Sequence, residues 1–215
     1  MSMASKPVEC PRLNSLDELA TIVGTSMEDI QHAAINAESY YAPFAKKPKT
    51  KPFSRLPDHT RARVIEPPTG FLMHLLAKIH SEILQPIQLP DYLVGGVRGK
   101  SVLDNLQNHS RSKVLVRLDI KSYFPSVSDV QIQRVWNEHF GCPNDLARLL
   151  TRLTTYRGHL PQGAPTSTRL AYLFLHSIDG QVRRLCAALG VDYTVWVDDM
   201  AFSGDRARDV IGTAI

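Results

Sequence analysis

Residues 193–204, YTVWVDDMAFSG, set two acidic side chains next to each other inside an apolar and aromatic run. A strand that buries such a run cannot also bury two unpaired carboxylates. Asp198 and Asp199 must therefore fall at a strand end or a turn, which divides the segment into a strand "VDYTVWV", a tight turn "DD" and a return strand "MAFSG". A second run, "KVLVRLDI", is rich in β-branched and apolar residues and reads as a buried strand ending near Asp119. Carboxylates at the exits of adjacent strands converge, and three clustered negative charges cannot all stay ionised without a cation between them. Hard oxygen donors without His or Cys suit Mg2+. Two such ions, about 3.5–4 Å apart, serve phosphoryl transfer by activating an attacking hydroxyl and stabilising the leaving oxygens. Taken alone, an Asp pair is more often a hairpin turn and a single Asp a helix cap; the surrounding motifs decide between these readings.

The 215 residues suffice for one substantial core or two modest lobes, and 43% apolar with 21% charged residues excludes a disordered chain. The net charge of +4 leans mildly towards polyanionic partners. The N-terminus "MSMASKPVEC" has no apolar signal region and no segment reaches the roughly 18 apolar residues of a membrane span, so a cytoplasmic protein without membrane contact is expected. Cys10, Cys142 and Cys186 are scattered, with neither CxxC spacing nor a nearby His ladder, and read as free thiols.

Ser15 with Glu18 reads as a capping box opening a helix that Gly24 closes, and "SMEDIQHAAINAES" as a second helix. From Pro43, lysines and arginines alternate with prolines, predicting basic loop and short strand. Leu72, Leu75, Leu76, Ile79 and Ile83 mark a half-buried helix that Pro86 stops. "VGGVRGKS" is a turn leading into the short helix "SVLDNLQNHS". After the first acidic strand, Ser128 with Gln131 caps one helix and Asn144 another. The loop "RGHLPQGAPTS" opens one long helix, "RLAYLFLHSIDGQVRRLCAAL", closed by Gly190.

In this order, "VRLDIKSYFPSV", "LPQGAPTS" and "YTVWVDDMAFSG" resemble the three palm motifs of a bacterial reverse transcriptase of the retron and group II intron kind. "RVIEPP" resembles the family's fingers strand, and "NLQNH" (105–109) is close to the Asn-Ala-x-x-His signature of retron enzymes, with Leu106 where alanine is usual. The resemblance covers residues 40–204. It implies an α+β, right-hand polymerase fold with fingers and palm and an antiparallel palm sheet flanked by helices. Residues 1–42 would form an N-terminal helical segment, 43–112 the fingers, and 113–215 the palm with a helical fingers-side insertion at 128–158. A thumb is expected to be absent, and activity of the chain alone correspondingly poor.

The resemblance also implies residue roles. Asp119, Asp198 and Asp199 would be catalytic and, with the Ile120 carbonyl, would bind two Mg2+ ions, for which Mn2+ could substitute. Phe124 would exclude a 2′-hydroxyl, Gln162 and Gly163 would touch the incoming nucleotide, and Arg63 would hold its triphosphate. Trp196 stands where the hairpin motif has tyrosine, and Thr168 replaces a common proline. Lys46, Lys47, Lys49, Lys51, Arg98 and Lys100 are candidate backbone contacts to template. The implied partners are an RNA template, a DNA or RNA primer and dNTPs, with a cognate noncoding RNA and a defence effector protein. Two other readings stand beside it: a group II intron maturase fragment, and a catalytically silent nucleic-acid-binding remnant in a phage-defence system.

Overall fold

The computed structural model describes residues 8–46, 63–97 and 99–214. The N-terminal region is helical. Helix α1 (Leu16–Val23) starts where Ser15 Oγ accepts from the Glu18 N–H at 3.1 Å and ends on Gly24 in the left-handed conformation. The Glu18 carboxylate does not close the box on Ser15; its Oε2 accepts from the Asn14 N–H at 2.8 Å instead. Helix α2 (Met27–Ile35) follows and runs into a tight 3₁₀ turn at Ala37–Tyr40. Both helices bury one apolar face, with Leu19, Val23, Ile30 and Ala33 inside.

Two short strands, β1 (Phe44–Lys46) and β2 (Arg63–Ile65), pair antiparallel, and all their side chains are exposed except Ile65, which is half-buried. Helix α3 (Gly70–Ile79) carries the predicted apolar stripe and continues as a wide helical turn over His80–Leu84 before Pro86. Leu72, Leu75, Leu76, Ile79 and Ile83 are all buried, as their spacing requires.

Helix α4 (Val102–His109) opens on a complete Ser101/Asp104 capping box and leads into strand β3 (Leu115–Asp119). This strand is not buried on both sides. Val116 and Leu118 pack on the core while Leu115, Arg117 and Asp119 face outward, because β3 lies at the edge of the sheet. The one-turn helix α5 (Tyr123–Ser126) follows, then α6 (Asp129–Phe140), with its Ser128/Gln131 box intact, and α7 (Asn144–Thr154). The N-cap of α7 is Pro143; Asn144 is already the first helical residue and makes no cap bond. The α6–α7 pair buries Trp136 against Phe140, ring centroids 4.6 Å apart.

The expected long helix after the "PQG" loop is broken in two. Helix α8 (Ser167–Ile178) stops at Asp179, and α9 (Gly180–Leu189) restarts at a glycine. Asp179 is buried at the break, where Arg183 Nε donates to it at 2.7 Å. Strands β4 (Asp192–Trp196) and β5 (Asp199–Ser203) then form a hairpin, and helix α10 (Ala207–Ala214) ends the described chain.

The principal sheet has the order β3–β5–β4, all antiparallel. One face carries Val116, Leu118, Tyr193, Val195, Met200 and Phe202 into the core, with Tyr193 stacked on Phe202 at 5.0 Å. The opposite face carries Arg117, Asp119, Thr194, Trp196, Asp199 and Ser203, since alternate residues of a strand point to opposite sides. No helix among the described residues is long and apolar enough to cross a membrane. The three cysteines are free, with burial pushing the thiol pKa of Cys10 and Cys186 up to about 11 and of Cys142 to about 12.

Candidate active site

The register of the sheet sets the acids. Asp119, last residue of β3, lies directly opposite Asp199, first residue of β5, and the Ile120 N–H donates to the Asp198 carbonyl at 2.9 Å. Asp198 occupies the loop between the strands together with Val197, and Asp199 belongs to the return strand rather than to the turn. Val197 adopts φ +62, a conformation that a β-branched side chain strongly resists.

What holds that tip is Tyr172. Its hydroxyl accepts from the Val197 N–H at 2.8 Å and donates to the Gly95 carbonyl at 2.5 Å. Gly95 has to be glycine, because a Cβ there would lie 2.7 Å from Tyr172 Oη and 2.8 Å from the Val197 nitrogen. Neither Gly95 nor Tyr172 stood out in the sequence as a site residue. The only signal was the glycine pair in "VGG", which reads equally well as a plain turn.

Burial, and then the Asp119 and Asp199 carboxylates, push Asp198 above the ordinary carboxylate range, against opposing effects from its own backbone hydrogen bond and from Arg63. The cluster offers oxygen donors only, which fits a hard divalent cation. Asp119, Asp198 and the Ile120 carbonyl are the atoms available to hold one. Asp199 is turned elsewhere: Arg117 Nε donates to its Oδ1 at 3.3 Å and Nη2 to its Oδ2. Among the described residues, accordingly, no three acidic, His or Cys side chains are gathered as a ready metal cage.

The end of β2 docks on the loop that carries Gln162. The Glu66 N–H donates to the Gln162 carbonyl at 2.7 Å, and His159 Nε2 lies 2.9 Å from Glu66 Oε2. Gly163 has φ +124, and a Cβ there would approach Ile65 Cγ2 to 3.0 Å. Arg63 shares that face of β2 with Ile65, and Lys46 stands directly across the register from Arg63. Both side chains are exposed. Phe124 lies in α5, only 9% exposed, its ring 5.9 Å from that of Tyr123. It packs as a core aromatic with an edge left open. Lys100 pairs with Asp91 at 3.2 Å. Lys47, Lys49, Lys51 and Arg98 lie outside the described residues.

The residues of "NLQNH" fasten α4 to the sheet. Thr194 Oγ1 donates its one proton to Asn105 Oδ1 at 2.6 Å, so it accepts from His109 Nε2 at 2.7 Å. His109 Nδ1 lies 2.7 Å from the Ser203 hydroxyl. The chain of bonds puts a proton on Nε2, and in the neutral imidazole Nδ1 accepts from Ser203. Burial lowers the His109 pKa in the same sense, with Asp192 opposing.

The chain belongs to the reverse transcriptase (RNA-dependent DNA polymerase) family, whose model matches residues 49–214. Within that family it is similar to retron reverse transcriptases. It is 26% identical to the retron Se72 reverse transcriptase of Salmonella heidelberg (strain 579083-10) over 202 residues, which cover 91% of this chain and 51% of that protein. The retron Ec86 reverse transcriptase of Escherichia coli is 24% identical over 201 residues, 94% of this chain and 60% of that one. The retron Mx162 reverse transcriptase of Myxococcus xanthus is 26% identical over 220 residues, 91% and 43%. The chain thus spans about half the length of these relatives.

Proposed function

We propose that this chain carries the fingers and palm of an RNA-directed DNA polymerase that adds dNTPs to a primer 3′ end on an RNA template. The observation that supports this best is the register that sets Asp119 opposite Asp199, with Asp198 held at a strained hairpin tip between them. In this reading residues 43–112 are fingers, and 113–215 are palm with α6 and α7 as an inserted helical pair.

The primer 3′-oxygen bonds to the α-phosphorus of the incoming dNTP, the α–β phosphoanhydride breaks, the hydroxyl proton is lost and pyrophosphate leaves. Asp119, Asp198 and the Ile120 carbonyl would hold the divalent ions, Mg2+ or Mn2+, that supply Lewis acidity to these oxygens when bound. Arg63, with Lys46 across from it, would neutralise the triphosphate, a task that a planar guanidinium suits because it grips two phosphate oxygens at once. Gln162 and Gly163 would bring main chain close to the nucleotide. The open edge of Phe124 would press on the sugar where a 2′-hydroxyl would otherwise sit.

The test is primer extension on poly-rA/oligo-dT with Mg2+ and with chelator, comparing the wild-type chain with Asp119→Asn and Asp198→Asn. Extension that needs the metal and both acids supports the reading. Metal-dependent extension that survives in folded Asp198→Asn would overturn the site assignment. Primer-template binding with no extension in any form would favour a silent binding module.

A further inference from the structure

Of the three aspartates around the hairpin, only Asp199 is in an ion pair among the described residues. Arg117 sits two residues before Asp119 on the outward face of β3, opposite Ala201, so its side chain reaches diagonally across the strand pair to Asp199. It takes both carboxylate oxygens, Nε to Oδ1 and Nη2 to Oδ2, in the forked geometry that guanidinium and carboxylate share. Asp199 raises the Arg117 pKa through this hydrogen bond and its charge, and Asp119 adds to it. The remaining acids, Asp119 and Asp198, have no counter-ion bonded to them among the described residues.

We propose that Arg117 is a positioning residue that withholds Asp199 from the metal-binding set, leaving a site built on Asp119, Asp198 and the Ile120 carbonyl and keeping the metal-free acid cluster from carrying three bare charges. This rests on the metal reading given above. Arg117 is 64% exposed at its side chain, so the pair is reachable by solvent and salt and its hold on Asp199 is reversible. Removing the guanidinium has two separable consequences. It deletes a positive charge beside the site, which strengthens cation binding by long-range attraction. It also frees Asp199 to turn in and become a ligand, which simple charge bookkeeping does not predict.

A double-mutant cycle on Mn2+ affinity separates them, read by electron paramagnetic resonance of free Mn2+ with the full 215-residue chain and no nucleotide. Arg117→Gln is expected to tighten Mn2+ roughly three- to tenfold, and less at high salt. Asp199→Asn should weaken binding about threefold while Arg117 is present, since the uncovered guanidinium then repels the ion, but on the order of thirtyfold in the Arg117→Gln background, where an oxygen ligand is lost. Arg117→Lys keeps the charge without the fork and should give an intermediate coupling, so it carries the cycle if the glutamine variant does not fold. An equal cost of Asp199→Asn in both backgrounds would overturn the withholding role. Asp119→Asn is the control: if it leaves Mn2+ affinity unchanged, the metal reading falls and this inference with it, whereas its weakening alongside an additive cycle removes only the role of Arg117.

Discussion

The main-chain N–H of Glu66 donates to the carbonyl of Gln162 at 2.7 Å, so the end of β2 is stitched to the loop that carries the candidate nucleotide-binding residues. His159, three residues before Gln162, repeats the stitch through its 2.9 Å contact with the Glu66 carboxylate. Arg63 and Gln162 are thereby placed by one joint, and a disturbance of that joint should act on nucleotide binding before it acts on chemistry.

Gly163→Ala tests the joint. An added Cβ would lie 3.0 Å from Ile65 Cγ2, and φ +124 is a backbone region open to little except glycine. A strained position of this kind costs about 1–3 kcal/mol. We expect a lower Tm together with a KM for dNTP raised severalfold and kcat changed less, measured by single-nucleotide kinetics. Unchanged KM in a folded variant would detach the joint from nucleotide binding.

His109 predicts a pH dependence of stability. Its folded pKa lies below the ordinary 6.5, through burial first, so the unfolded chain takes up the proton more readily. Its contribution is therefore complete above 6.5 and drains away as the pH falls from there towards the folded value. His80, His139 and His176 shift the same way, the last to about 4, so the slope has to be isolated by difference. His109→Gln should lower Tm at pH 7.5 and flatten its fall between pH 7 and 5 relative to the wild type. Parallel Tm curves for the two proteins would show that the bonds to Thr194 and Ser203 do not govern the titration.

Local signals in the sequence were legible and tertiary ones were not. Ser15, Gly24, Ser128 and the apolar stripe ending at Ile83 act within one or two turns of themselves, and the helices follow them. The break between α8 and α9 was hidden because Asp179, besides its local bond from Arg183 at 2.7 Å, is drawn inward by the Tyr193 hydroxyl of β4 at 3.4 Å. The acids could be located from strand ends, but the diagonal from Arg117 to Asp199 exists only once the β3–β5 register is fixed. Tyr172 was equally hidden, as it reads as one more apolar residue of a helix until Val197 and Gly95 arrive at its hydroxyl.

Asp198→Asn should separate stability from activity. The ionised carboxylate is disfavoured where it stands, by burial and by its acidic neighbours, so a neutral isostere relieves the folded state. The effect is small because solvent reaches the group. At pH 7.5 without divalent ions we expect Tm to rise by a few degrees at most, on the order of 2 °C, while metal-dependent extension is lost. Added Mn2+ should raise the wild-type Tm and leave that of the variant nearly unmoved. A variant that is both less stable and still stabilised by Mn2+ would refute this account of the charge cluster.

The last prediction concerns the strained tip. Val197 at φ +62 is held by the hydrogen bond from its N–H to Tyr172 Oη, and the same hydroxyl is anchored on the Gly95 carbonyl. Tyr172→Phe keeps the ring volume in its buried place and deletes both bonds, leaving the Val197 N–H and the carbonyl of buried Gly95 without that partner. The strain at Val197 then has less to oppose it, and the loop should relax away from the position that aims Asp198 between the strands. We expect kcat to fall by about tenfold or more, the size of effect that follows from misplacing a catalytic group by a fraction of an ångström, with KM for dNTP little changed. Adding Val197→Gly supplies a residue that adopts positive φ without penalty, so the tip no longer needs the hydroxyl to hold it there. The double variant should therefore recover part of the lost kcat, although glycine alone offers no new contact. Recovery in Tyr172→Phe/Val197→Gly, read against each single variant, identifies backbone strain as the quantity that Tyr172 controls; a double variant slower than Tyr172→Phe alone would mean that the Val197 side chain, and not its backbone, is what the site requires.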